Sequence, residues 1–394
     1  MSRPPQPDAD ALQHSERLRR VIIEQILAAG GSVPFWKFME LALYAPGFGY
    51  YSAGATKFGD AGDFITAPEL SPLFAACVAD ALTPVLQELG PEAELLEIGG
   101  GSGAFAETAL AKLLANDALP ARYAILEPSA DLRQRQRERL QQRLPALLFA
   151  LVEWLDGPPE DAWNGVLFAN EVLDALPTPR FCIRDGEVFE EHVALDGEGA
   201  FVRRDRPADP MLAAAVRHVE RQLQAPFAEG YRSEVLAQLP YWLQAVIGGL
   251  DKGAMLFIDY GHGRGEYYQP QRSEGTLRAF RRHHVVADVF AWPGLQDITA
   301  SVDFTALAEA GTGAGFELAG YCSQASFLLG NRLPENLALA ESRIGSEAGI
   351  HGLRQQAKQL TLPSEMGERF QAMGFERGAE FGAAFLVGDL SHRL

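Results

Sequence analysis

Residue type and spacing imply chemistry most directly in Glu97-Ile98-Gly99-Gly100-Gly101-Ser102-Gly103. An apolar run of Leu95, Leu96 and Ile98 ends in closely spaced glycines, and Phe105, Ala109 and Leu113 then recur at helical spacing. This predicts a buried strand turning sharply into a helix. Glycines at 99, 101 and 103 lack the Cβ atoms that would hold a ligand off the backbone, and a helix starting near Ala104 offers it unpaired N–H groups. Gly101-x-Gly103-x-x-Ala106 taken alone also fits a dinucleotide fingerprint or a purely structural turn, so the neighbouring acids decide. The next apolar run, Tyr123-Ala124-Ile125-Leu126, ends on Glu127, twenty-four residues after Gly103 and placed to accept both hydroxyls of a ribose. Glu97, two residues before the first glycine, favours S-adenosylmethionine over NAD, because a methionine ammonium needs a negative partner and a pyrophosphate does not.

Ligands of open α/β sheets sit beyond the carboxyl ends of the strands, which here carry Glu97, Glu127, Asn170-Glu171 and Asp259-Tyr260. Acids at four strand ends make a negative cleft, suited to a sulfonium cofactor and to a cationic acceptor. Methyl transfer from a sulfonium is a direct displacement, so the protein must align the nucleophile, exclude water and accept a proton. Glu171 and Asp174 would face one point if their segment takes a helical turn, and two carboxylates suit the forked donors of a guanidinium. The alternative, Glu171 on the cofactor and Asp174 structural, stays open. Asp63, Thr66 and Glu69 are polar handles on a glycine- and aromatic-rich stretch, Gly47 to Ala67, that folds over a ligand or forms an ordinary surface loop.

The elements that must position these residues follow from periodicity. Residues 1 to 14 read as a loose tail, and Leu18 to Ala29 as a helix closed by Gly30-Gly31. Ser32 caps a second helix with Pro34 near its first turn. Apolar runs at 95–98, 123–126, near 147–152, 165–169 and 254–258, interleaved with helical stretches, give the doubly wound α/β pattern. Residues 182 to about 250 interrupt it as an inserted α+β subdomain. A strand near 316–321, mostly helical residues 335 to 373 and a last strand at 383–387 complete the chain. The arginines at 133, 135, 137, 139 and 143 read as the wet face of a helix whose apolar stripe is Leu132, Leu140 and Leu144. His283-His284 reads as a surface turn.

The bulk numbers exclude some classes. Of 394 residues, 34 are basic and 52 acidic, a net charge of −18 that argues against a nucleic-acid surface. Three scattered cysteines, Cys77, Cys182 and Cys322, suit neither a disulfide framework nor a metal site and imply a reducing compartment. No stretch approaches the ~20 apolar residues of a membrane span, and no basic-then-apolar leader opens the chain, so a cytoplasmic protein is expected.

Six ordered segments carry a family resemblance: Gly62 to Glu69, Glu97 to Gly103, Asn170 to Pro177, Ile258 to Gly261, Gly275-Thr276-Leu277-Arg278 and Asp297 to Phe304. They resemble the successive signatures of the MidA family of S-adenosylmethionine-dependent methyltransferases, over roughly residues 30 to 390. The resemblance implies a class I, Rossmann-like, seven-stranded core with an N-terminal helical extension and the inserted subdomain. The expected partition is an extension over 1–60, core over 61–181, insert over 182–250, and core again over 251–394. For the family's mitochondrial member it implies symmetric dimethylation of an arginine on a complex I subunit. The acidic start suits a bacterial relative, whose substrate need not be the same.

The expected site therefore has Glu171 and Asp174 in catalysis, Glu97, Gly99, Gly101, Gly103, Glu127 and Asn170 on the cofactor, Asp63, Glu69 and Asp259 on the acceptor, and no metal. The leading reading is a methyltransferase acting on an arginine of a partner protein. A small-molecule O- or N-methyltransferase, a cofactor-binding assembly factor without turnover and, more remotely, a dehydrogenase are the alternatives. An open acidic groove would mark the first and a closed apolar pocket the second.

Overall fold

In the computed structural model, which describes residues 5–53 and 66–394, the apolar runs around the glycine turn lie side by side in one sheet. Strand Glu94–Ile98 runs parallel to Arg122–Leu126 on one side and Ala162–Asn170 on the other. The central residues of all three are buried on both faces, which is why each reads as a continuous apolar run rather than an alternation. Across the sheet the order is Glu317–Ser323, Phe370–Arg377, Gly249–His262, Ala162–Asn170, Glu94–Ile98, Arg122–Leu126 and Val152–Leu155. Phe370–Arg377 is antiparallel to both neighbours and the remaining pairs are parallel, so the fold is α/β with a mixed sheet.

This sheet belongs to the second of two units, formed by Ile65–Val172, Pro240–Gly261 and Phe304–Leu394. Helix Pro72–Leu89 supports it, capped by the Ser71 hydroxyl and burying Phe74, Val78, Leu82 and Val85. By length and composition this helix could cross a membrane; 56% of it is buried in the protein. Helix Ala104–Ala115 sets Phe105 in a 4.2 Å stack on Phe168 of the sheet. Two expected strands are corrected here. Residues near 147–152 form a short helix, Ala146–Phe149, and the strand starts at Val152, because Pro145 opens a helical turn that buries Leu148. Residues 383–387 form no strand, 383–385 being turn, and the last long strand is Phe370–Arg377. The apolar run there feeds the core from outside the sheet. The Phe385 side chain lies so close to Gly320 and Gly374 that a Cβ on either would sit 2.4 Å from one of its atoms.

The other unit comprises Met1–Phe64, Leu173–Leu239 and His262–Asp303. Its first helix, Ala9–Ala28, starts inside the expected tail because the Asp8 carboxylate accepts the Ala11 N–H and caps it. Ser32 does not cap the next helix. Ser32–Pro34 is a short strand paired with 192–194 of Glu187–Leu195, and helix Phe35–Tyr44 begins directly after Pro34. The N-terminal extension and the predicted insert thus share one antiparallel sheet, with Arg180–Arg184, Phe201–Pro207 and Arg232–Glu234. A three-stranded sheet of Arg278–Arg281, His284–Val286 and Asp297–Thr299 accompanies it. Arg282 and His283, at φ 47° and 62°, form the two-residue turn of its hairpin.

A buried ion cluster centres this unit. Arg180, 1% exposed, donates Nε to Glu234 at 3.0 Å and Nη1 to both oxygens of Glu191 at 2.8 and 2.9 Å. Gly275-Thr276 gives Glu234 two further partners, the Thr276 N–H at 2.8 Å and its hydroxyl at 3.1 Å. A Cβ on Gly275 would meet the Glu234 carboxylate at 2.3 Å, so this motif is held by packing within the unit.

Candidate functional site

The glycine turn forms as expected. Gly99, Gly101 and Gly103 have φ of 69°, 53° and 84°, backbone that residues with a Cβ adopt at a cost. Packing adds a demand the sequence does not show, since a Cβ on Gly99 would lie 2.9 Å from Val172 and one on Gly100 3.0 Å from Ile125. The turn returns to the sheet through the Gly99 N–H, which donates to the Leu126 carbonyl at 3.0 Å, and Gly103 leads into helix Ala104–Ala115.

Glu97 is 3% exposed and accepts the Tyr123 hydroxyl at 2.8 Å. Burial pushes its carboxyl up to about 7; the Tyr123 hydrogen bond opposes this and the nearby Glu127 charge adds to it. Glu127, also buried, accepts the Ser129 N–H at 3.0 Å and the Gln136 amide at 3.2 Å. Gln136 is a residue that reasoning from sequence missed. It is fully buried, its Nε2 also donates to the Gly101 carbonyl at 2.9 Å, and its Oε1 accepts the Trp154 indole N–H at 2.8 Å. One side chain thereby ties the glycine turn, the acid after the second strand and the edge of the sheet together. The signal was its spacing: Leu132, Gln136 and Leu140 form one buried stripe with an amide in its middle.

The arginine face of the same helix is only partly wet. Arg139 donates to Glu107 at 2.8 Å and to the Ser102 hydroxyl at 3.0 Å, and lies 3.6 Å from Glu69. Glu69 is therefore brought to the glycine turn through Arg139, and burial raises its carboxyl above the usual range.

At the end of strand Ala162–Asn170, the Asn170 Nδ2 donates to Glu171 at 3.2 Å, while its buried Oδ1 has no hydrogen-bond partner among the described residues. Glu171 has φ 53°, so no right-handed helical turn starts from it; a turn closes further on, where the Leu176 N–H reaches the Leu173 carbonyl. Asp259, 1% exposed, accepts the Val172 N–H at 3.2 Å and the Tyr260 N–H at 2.9 Å, anchoring the backbone after Glu171. Asp174 lies in the other unit, and Asp63 lies outside the described residues.

What gathers in the sheet unit is a glycine turn, two buried acids on successive strand ends, an amide oxygen with no partner among the described residues and a strained glutamate. This donor set fits a ligand with a cationic amine and a vicinal diol. Among the described residues no group of His, Cys, Asp and Glu gathers to hold a metal ion.

A family model described as "Putative S-adenosyl-L-methionine-dependent methyltransferase" matches residues 77–322. A crystal structure from Burkholderia thailandensis bound to S-adenosyl-homocysteine is 42% identical, with a TM-score of 0.91 over 100% of both chains. Among curated proteins, the mitochondrial protein arginine methyltransferase NDUFAF7 homolog of Drosophila melanogaster is 28% identical over 95% of this chain and 89% of its own length. Its Danio rerio counterpart is 27% identical over 88% and 83%.

Proposed function

We propose, from the premise that the chain belongs to the MidA-type family of S-adenosyl-L-methionine-dependent methyltransferases, that it methylates an arginine side chain of a partner protein. The observation that carries the cofactor half is the pairing of Glu97 and Glu127 around one glycine turn. When bound, S-adenosylmethionine supplies an electrophilic methyl group on a sulfonium. Glu127, held by Ser129 and Gln136, offers its carboxylate to the ribose hydroxyls. Glu97, held by Tyr123, offers a negative charge to the methionine ammonium. Asn170 Oδ1, which has no hydrogen-bond partner among the described residues, is an acceptor at the next strand end. The acids of this region also favour a cationic acceptor and can take the proton that a guanidinium nitrogen sheds as it is methylated.

The arginine half is supported by the names of the curated relatives, which are about a quarter identical to this chain. The test is incubation of the enzyme with isotopically labelled cofactor and a lysate of its own cell, followed by mapping of methylated residues by mass spectrometry. Label on protein arginine is the expected result. Label confined to small molecules, or tight cofactor binding with no labelled product, rejects the arginine reading.

A further inference from the structure

The unit that does not carry the glycine turn contains a second constellation with chemistry, built on the Asp297 to Phe304 motif. Ile298 is fully buried and packs into the core with Leu18, Phe38 and Met39. By strand alternation Asp297 and Thr299 therefore face the opposite side together. On that side the Tyr51 hydroxyl donates to Asp297 Oδ1 at 2.9 Å. The Tyr51 ring stacks on Tyr44 at 5.5 Å and 24°, and Tyr50 meets Tyr51 edge-on at 5.0 Å. Tyr44 is fixed in turn by its hydroxyl, which donates to the Ala175 carbonyl at 2.9 Å, and the Ala300 N–H donates to the Asp174 carbonyl at 3.0 Å. Tyr44 and Tyr51 are only half-buried, so part of each ring meets solvent. Thr299, 1% exposed, has a hydroxyl with no hydrogen-bond partner among the described residues.

We infer that Tyr44, Tyr51, Asp297 and Thr299, with Asp174, form a recognition site for a guanidinium group on the acceptor. This rests on the arginine reading above and assigns it to residues. A guanidinium is planar, stacks on tyrosine faces and presents five N–H donors in a fixed fork, which carboxylates and a buried hydroxyl oxygen can accept. An ammonium has the charge but not the plane, and a urea has the plane but not the charge. The local field has the right sign: burial first, then Asp297, Tyr44, Asp174 and Tyr50, hold the Tyr51 phenol well above its usual range.

The test titrates N-acetyl-arginine N-methylamide into the full chain saturated with S-adenosylhomocysteine, with the lysine and uncharged citrulline counterparts alongside, followed by ligand-observed NMR. The arginine compound should bind saturably, the lysine compound several-fold more weakly and the citrulline compound not at all. Asp297→Asn, which keeps an acceptor for Tyr51, and Thr299→Val should each weaken arginine binding by about tenfold. Neither should change S-adenosylhomocysteine affinity, measured calorimetrically, which also shows that the variants fold. Equal binding of the three compounds, or arginine binding unchanged in both variants, overturns the site. The two readings fail separately. If wild-type enzyme labels lysate arginines and both variants do so equally well, the site falls while the function stands. If the compounds behave as expected but no lysate arginine is labelled, the guanidinium site stands and the function falls.

Discussion

Replacing Glu97 by glutamine should change how stability responds to pH, and the size of the change follows from burial. The Glu97 carboxyl is raised from 4.5 to about 7, chiefly by burial. Below pH 4.5 it is protonated in both folded and unfolded chains, and its contribution is complete. As pH rises from there, the unfolded chain loses this proton while the folded chain keeps it, so stability falls until the folded group ionises near 7. The shift corresponds to about 3 kcal/mol over that window. Glutamine has no proton to lose and still accepts the Tyr123 hydroxyl through its carbonyl oxygen. Urea unfolding of ligand-free wild type and Glu97→Gln at steps between pH 5 and 8.5 isolates the residue together with its coupling to Glu127, since the carboxyls that do not interact with it cancel in the difference. The wild-type advantage should decline by about 2–3 kcal/mol across that range and then level off. A flat difference would refute the raised carboxyl and with it the argument from burial. Binding is linked to the same proton. A cationic group docking against Glu97 favours its ionised form, so below pH 7 calorimetry in buffers of different ionisation enthalpy should detect proton release from wild type and less from the variant.

Glu127→Ala should weaken S-adenosylmethionine binding by about 1–3 kcal/mol, because the ribose hydroxyls lose a buried acceptor; unchanged affinity by calorimetry removes Glu127 from the site. Gln136→Met preserves volume but removes the bonds to Gly101, Glu127 and Trp154, and should cost about 1–2 kcal/mol of cofactor affinity without touching the ligand itself. If Gln136 acts through Glu127, the loss should shrink when Glu127 is already alanine, and full additivity argues against the coupling. Arg180→Met leaves Glu191 and Glu234 buried without their central cation and should cost about 3–5 kcal/mol in denaturant unfolding. A loss below about 1 kcal/mol would show that Arg232 and Arg203, which lie 3.1 and 3.5 Å from Glu191, suffice for the cluster.

What was legible in the sequence was legible for local reasons. The strand, glycine turn and helix around Gly99 to Gly103 are contiguous, and the central parallel strands are covered on both faces, so their apolar runs announce them. Two of the errors came from partners distant in sequence. Ser32 has the right chemistry for a helix cap, yet 192–194 offer its segment a strand to pair with, 160 residues away, and the ladder wins. Ala383 to Val387 has strand composition, but Phe385 fills the space left by Gly320 and Gly374, and an edge strand cannot put that ring there. The site shows the same division. Glu97 and Glu127 stand at neighbouring strand ends as their apolar runs predict, because parallel strands bring their carboxyl ends to one edge of the sheet whatever the tertiary detail. Asp259 sits at such an end too, and what position alone does not show is that its two oxygens accept the Val172 and Tyr260 N–H groups and so hold the backbone after Glu171. Gln136 makes the converse point. Its residue type carries no catalytic signal, and only the cost of burying an amide on the stripe between Leu132 and Leu140 marks it. A polar side chain there must find partners, and those it finds are the glycine turn and Glu127. A buried polar residue on an apolar stripe is therefore as informative about a site as an acid at a strand end.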